Sequence, residues 1–168
     1  MSGSVLDMFI RTSGLDRTVH VNGKNSSCLF CDIANNRISC VPILESPELL
    51  AFLDTSPIRR GHVQIIPRDH FKYFDDLPAD LAGEVVCAGQ RIARAQKKLY
   101  GVDRVAFLFS GGDIPHVHAH VVPMREKTDI TSRLYIAEET LTFRSTPAAS
   151  RQELEAVARQ LRAEITVA

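Results

Sequence analysis

Three of the chain's six histidines, His116, His118 and His120, fall on alternate positions within five residues, with Val117 and Ala119 between them. Side chains alternate across a β-strand, so on a strand this spacing sends all three imidazoles to one face and the apolar residues to the other. Neighbouring rings of such a row stand roughly 6 to 7 Å apart. Imidazoles gathered in one cleft attack, donate protons or bind metal. Read alone, the row also fits exposed polar residues on a half-buried strand. Both readings require an extended segment with one apolar face, and therefore a sheet with something packed on it.

The rest of the chain supplies that setting. Cys40–Leu44, Leu49–Asp54 and Gly61–Pro67 are rich in β-formers and are separated by Ser-Pro and Pro-Ile-Arg-Arg-Gly turn signals, which reads as an antiparallel meander. Leu81, Val85, Ala88, Ile92, Ala95 and Leu99 recur at steps of four and three, predicting a long helix between Asp76 as cap and Gly101 as stop, with Pro78 in its first turn. Gly83 and Gly89 each weaken that helix by up to about 1 kcal/mol relative to Ala, which suits places where it approaches a sheet closely. Val105–Phe109 reads as another strand, Ser110–Asp113 as a turn, and Ile114–Val122 as extended. Leu141–Phe143 is a candidate extra strand. Ser150 stands three residues before Glu153, a capping-box spacing, and Leu154, Val157, Leu161 and Ile165 form the stripe of a last helix. The expectation is an α+β fold.

At 168 residues, 45% hydrophobic and 24% charged, the chain is long and apolar enough for one domain with a real core, which excludes general disorder. Twenty Lys and Arg balance twenty Asp and Glu, which argues against a broad basic platform for nucleic acid. No apolar run approaches a membrane span, and the first residues lack a signal-peptide pattern, so a soluble cytoplasmic protein is expected. Four cysteines do not make a disulfide scaffold. Cys40 and Cys87 read as small buried hydrophobes, whereas Cys28 and Cys31 form a C-x-x-C pair, half of a zinc site in the usual spacing. Residues 1–26 read as a loosely held arm, 27–125 as the body, and 126–168 as an extension packed on it.

The stretch Pro115–Pro123, with His, apolar, His, apolar, His, apolar, apolar at its centre, resembles the signature of the histidine triad (HIT) family. Three further blocks agree in order and spacing: Cys28–Ile33 with the family's opening element, Ala51–Pro57 with its ribose-binding strand, and Gly61–His70 with its G-H-x-x-x-x-P-x-x-H segment. The resemblance covers about residues 28–124. It implies a HIT-like fold, with an antiparallel sheet of about five strands, one long helix and a C-terminal helix, forming a homodimer. It implies a nucleotide substrate, cleaved to a nucleoside monophosphate (AMP or GMP) from a phosphoramidate, phosphoanhydride or phosphoester.

By the same resemblance, His118 attacks the α-phosphorus and His120 contacts the phosphate or leaving group and helps move the proton, with His116 completing the catalytic set. Histidine rather than glutamine at the third position points to the hydrolase branch. Asp54 is implied to accept hydrogen bonds from ribose hydroxyls, while Phe30, Ile33, Phe52 and Leu53 wall the base. His70 and His116 are implied as partners of Cys28 and Cys31 around a structural Zn2+. His62 is read as a structural residue near a turn, with a smaller share for the active site.

One segment departs from the family. Where relatives carry a Gly-Gln-Ser stretch, this chain has Ser110–Pro115, and without a gap Gly112 takes the Gln position and Asp113 the Ser position. A carboxylate beside a phosphate repels it. Asp113 then points away, meets a cationic leaving group or marks an altered substrate; alternatively Ser110 and the backbone amides of Gly111 and Gly112 cradle the phosphate. Two other readings stay open: a nucleotide-binding or regulatory protein with little catalysis, and a metalloenzyme whose histidine row itself holds the metal.

Overall fold

The β-rich runs pair with their neighbours in sequence, as short turns dictate. In the computed structural model, which describes residues 28–110, 114–126, 129–130 and 148–167, β1 (Pro42–Glu45), β2 (Leu49–Leu53) and β3 (Val63–Pro67) form a meander. β4 (Arg104–Ser110) and β5 (His118–Met124) complete a five-stranded antiparallel sheet in the order β1-β2-β3-β5-β4. The arm 1–26, the candidate strand Leu141–Phe143, and Gly112 with Asp113 lie outside the described residues.

Alternation gives the sheet two faces with different covers. Leu49, Ala51, Leu53, Val63, Ile65, Ala119 and Val121 face α2 (Ala79–Tyr100) and α3 (Arg151–Val167), which contribute Val85, Ile92, Val157 and Leu161 to one buried cluster. Burying each of these large side chains contributes about 1.5–3 kcal/mol. Leu50, Phe52 and Ile66 point the other way, where α1 (Leu29–Ala34) covers them with Phe30, Ile33 and Ala34. The site lies on this second face.

Several element ends differ from the sequence reading. α2 starts at Ala79 rather than after Asp76, because Pro78 holds Leu77 extended (φ −70°, ψ 135°). Asp76 instead ends a 3-10 turn over Phe74–Asp76 and accepts the Tyr73 backbone N–H at 3.1 Å. Gly101 ends α2 as expected, its N–H reaching the Lys97 carbonyl. Gly89 is a true close approach, since a Cβ there would stand 2.5 Å from the Phe107 ring, but Gly83 faces open space. Cys87 is exposed on α2 and Cys40 is half-buried, so neither is the buried hydrophobe expected. Ser150 does cap α3, accepting the Glu153 N–H at 3.2 Å.

The change that matters most concerns the histidine segment. The strand begins at His118, not Ile114, because residues 114–117 turn: the His116 N–H bonds the Ile114 carbonyl and the Val117 N–H bonds the Phe71 carbonyl at 2.7 Å.

Candidate functional site

That turn separates the three histidines. His116, fully buried, stands before β5 and aims Nδ1 at the thiols of Cys28 (3.4 Å) and Cys31 (3.5 Å), while Cys31 Sγ also meets His70 Nδ1 at 3.2 Å. His118 and His120, both on β5, share the cleft beyond. A single row of three imidazoles around one metal is therefore not formed.

Cys28, Cys31, His70 and His116 converge so that one donor atom from each lies within 4.8 Å of the others. Zn–S near 2.3 Å and Zn–N near 2.0–2.1 Å at tetrahedral angles put neighbouring S and N donors about 3.5 Å apart, which matches the separations found. His116 Nε2 lies 3.1 Å from the Pro67 carbonyl. A proton held there leaves the Nδ1 lone pair free for a cation, the usual outer support of a metal-bound imidazole. Burial holds His116 neutral, its pKa pushed down to about 4. Burial and the neighbouring Cys28 push the Cys31 thiol up to about 11, so a bound cation has to displace its proton. The donor set fits zinc.

In the cleft, His118 Nδ1 lies 2.8 Å from the His116 carbonyl. Its Nε2 is 3.4 Å from Ser110 Oγ, which stands 2.7 Å from His120 Nε2. Strand pairing explains the meeting, since β4 sets Ser110 directly opposite His118. Behind His120, Nδ1 meets His62 Nε2 at 2.9 Å, and His62 Nδ1 lies 3.4 Å from Asp54 Oδ2. Burial pushes the His62 pKa down to about 4 despite the attraction of Asp54, and burial followed by the nearby His118 lowers that of His120. His62 Nδ1 accepts the Ile58 N–H at 3.4 Å, and from there a polar chain runs through His62 and His120 to Ser110 and His118, with Asp54 beside its first ring.

Of the other expected site residues, Phe30 packs edge-on against His118 (centroids 5.0 Å) and Phe52 (6.0 Å), and Ile33 joins them. Asp54 sits at the end of β2, its Oδ1 accepting the Ser56 N–H at 2.7 Å and its Oδ2 accepting from Gln64 Nε2 at 2.6 Å. Leu53 does not join this group. One residue along from Phe52, it points through the sheet into the core beneath α2 and α3.

Two residues were underread in the sequence. His62 is more than a turn residue: it is buried beside Asp54 and bonds His120, and its place as first histidine of the G-H-x-x-x-x-P-x-x-H segment was the available signal. Gln64 carried no signal except its β3 position on the face opposite Val63 and Ile65. The loop between Asp54 and His62 is held from behind, where Gly61 (φ 88°) lies so close to Tyr100 that a Cβ would overlap its hydroxyl and ring. Gln96 Nε2 donates to the Gly61 carbonyl at 2.8 Å. A larger residue at Gly61 would displace His62 next to it.

Comparison with known proteins bears on the family and the fold. The family model described as HIT domain matches residues 35–127. An uncharacterized HIT-like protein of Methanocaldococcus jannaschii is 31% identical over 103 residues, 59% of this chain and 80% of that protein. The adenosine 5′-monophosphoramidase of Saccharomyces cerevisiae is 30% identical over 104 residues, 61% of this chain and 66% of the yeast protein. A zinc-bound histidine triad family protein from Mycobacterium smegmatis superposes with a TM-score of 0.65 at 30% identity, covering 84% of this chain and 94% of the other.

Proposed function

The chain belongs to the histidine triad family, and from that premise we propose that it releases a nucleoside monophosphate, AMP or GMP, from a phosphoramidate, phosphoanhydride or phosphoester. The reading rests above all on the contact between His118 Nδ1 and the His116 carbonyl. A carbonyl only accepts, so it fixes the proton on Nδ1 and leaves the lone pair on Nε2, facing Ser110 and His120. A neutral imidazole so held is a ready nucleophile near pH 7.

In the first step His118 Nε2 bonds to the α-phosphorus, and the bond from phosphorus to the leaving nitrogen or oxygen breaks with its electron pair. His120 gives that group a proton. In the second, water attacks phosphorus, the P–N bond to His118 breaks, and His120 takes the water's proton. The lowered pKa of His120 suits the second role; a bound phosphate's negative charge opposes the burial and prepares the first. Phe30, Ile33 and Phe52 would hold the base, Asp54 the sugar, and Ser110 with the adjoining Gly112 segment the phosphate. Cys28, Cys31, His70 and His116 would hold a structural zinc, which supplies no reacting atom and ties α1 to the segment that carries the nucleophile.

Among the described residues nothing pairs with the outer edge of β4, and with exposed Phe107 beside it this favours a second copy of the chain pairing along that edge. The adenosine 5′-monophosphoramidase relative makes an adenosine phosphoramidate the first substrate to try. Intact-mass measurement after brief mixing with it and an alkaline quench should find a nucleotidyl adduct on the wild type and none on His118→Ala. Turnover should fall by at least about a thousandfold in that variant. Retained turnover would refute the mechanism, and nucleotide binding without any wild-type adduct would favour the binding-protein reading.

A further inference from the structure

Resting on this nucleotide reading, we infer that Gln64 determines sugar specificity, its side-chain carbonyl accepting a hydrogen bond from one ribose hydroxyl while Asp54 takes the other. The floor of the cleft is built from three adjacent strands. Phe52 on β2, Gln64 on β3 and His120 on β5 are register partners in one row across it. Adjacent strands stand about 4.8 Å apart. A nucleotide lying along that row with its base on Phe52 and its phosphate by His120 must set its sugar over Gln64.

The polar bonds of the floor leave Gln64 suited to that place. Asp54, the expected diol acceptor, already takes the Ser56 N–H on Oδ1 and the Gln64 amide on Oδ2. Each oxygen keeps one lone pair, so a diol held by Asp54 alone would have to crowd both hydroxyls beside donors already seated. Gln64 donates through Nε2, which leaves Oε1 as an acceptor, and Oε1 is buried without a hydrogen-bond partner. Bulk water does not reach that atom, whereas the half-buried Gln64 side chain as a whole borders the cleft. A turn of the amide about the last side-chain bond, a soft torsion, brings Oε1 to the cleft and at the same time releases Asp54 Oδ2 for the second hydroxyl. A sugar hydroxyl is donor and acceptor at once, which a methyl-bearing substitute for Gln64 cannot answer.

The test is calorimetric binding of AMP, 2′-deoxy-AMP and 3′-deoxy-AMP to the wild type and to Gln64→Leu and Gln64→Met, which conserve volume. Wild type should bind each deoxy compound about tenfold more weakly than AMP, one hydrogen bond's worth. In both variants one of the two penalties should shrink below about threefold while the other persists. If both penalties persist, Gln64 does not touch the sugar; if both vanish together, it acts only by holding Asp54. Either result overturns the assignment, as does a wild type that does not distinguish the three. A wild type that binds none of them, in contrast, brings down the nucleotide reading itself.

Discussion

His62 is a buried imidazole with an acceptor or donor on each side, and its behaviour with pH follows from that. Its folded pKa of about 4 lies below the ordinary 6.5 because burial penalises the charged ring. The unfolded chain therefore takes up this proton first as pH falls. The stability tied to His62 is complete above about pH 6.5 and is lost as pH falls from there through 4. Melting temperature should drop across that interval, and His62→Gln, which keeps polar groups without the titration, should flatten the drop. An unchanged slope in the variant would show that His62 is not held neutral. At this scale the sequence was informative where chemistry is rare, as in the triad and the C-x-x-C pair. It was silent on Gln64, because an amide on a strand is ordinary until its neighbours are known.

Among the elements, α1 depends on what holds it. Six residues are too few for a stable isolated helix. Phe30, Ile33 and Ala34 anchor it to the sheet, and Cys28 and Cys31 flank the same turn beside His70 and His116. The chain purified without chelator should contain one zinc per molecule. Cys28→Ser with Cys31→Ser should lose the metal, lower the melting temperature and open residues near 28–38 to limited proteolysis; metal analysis and peptide mapping report on both. Full zinc retention in the double variant would remove the site. The long helix was legible because its apolar period runs over many turns. The start of β5 was not, since the apolar alternation of Ile114–Val122 outweighed the one local break at Pro115, and the turn is set by the His116 bond to the Ile114 carbonyl together with the bond from Val117 to the Phe71 carbonyl on a distant segment.

For the whole molecule the decisive surface is the β4 edge. Among the described strands β4 lies outermost, half-exposed along its length, with Phe107 and, one turn before Gly89 on α2, Val86 both exposed. Edge strands of this kind are protected by charge, cover or pairing. Light scattering should give about twice the 18.6 kDa chain mass, and Phe107→Lys with Val86→Glu should shift it toward the monomer. A wild type that is monomeric at micromolar concentration would contradict the pairing. None of the described helices is long and apolar enough to cross a membrane.

What the sequence determined by itself was everything carried by local period and rare chemistry: the α+β class, the long helix, the last helix with its Ser150 cap, the pairing of neighbouring strands, and the residues worth watching. Those features depend on spacing along one chain, which is visible without a fold. Tertiary structure alone decided how the residues are shared out. It sent His116 to the cysteines and kept His118 and His120 for the cleft. It turned Leu53 into the core and set Gln64 and His62 against Asp54. Such assignments depend on contacts between segments tens of residues apart, and strand register, where a one-residue change reverses a face, is fixed only when those segments pack.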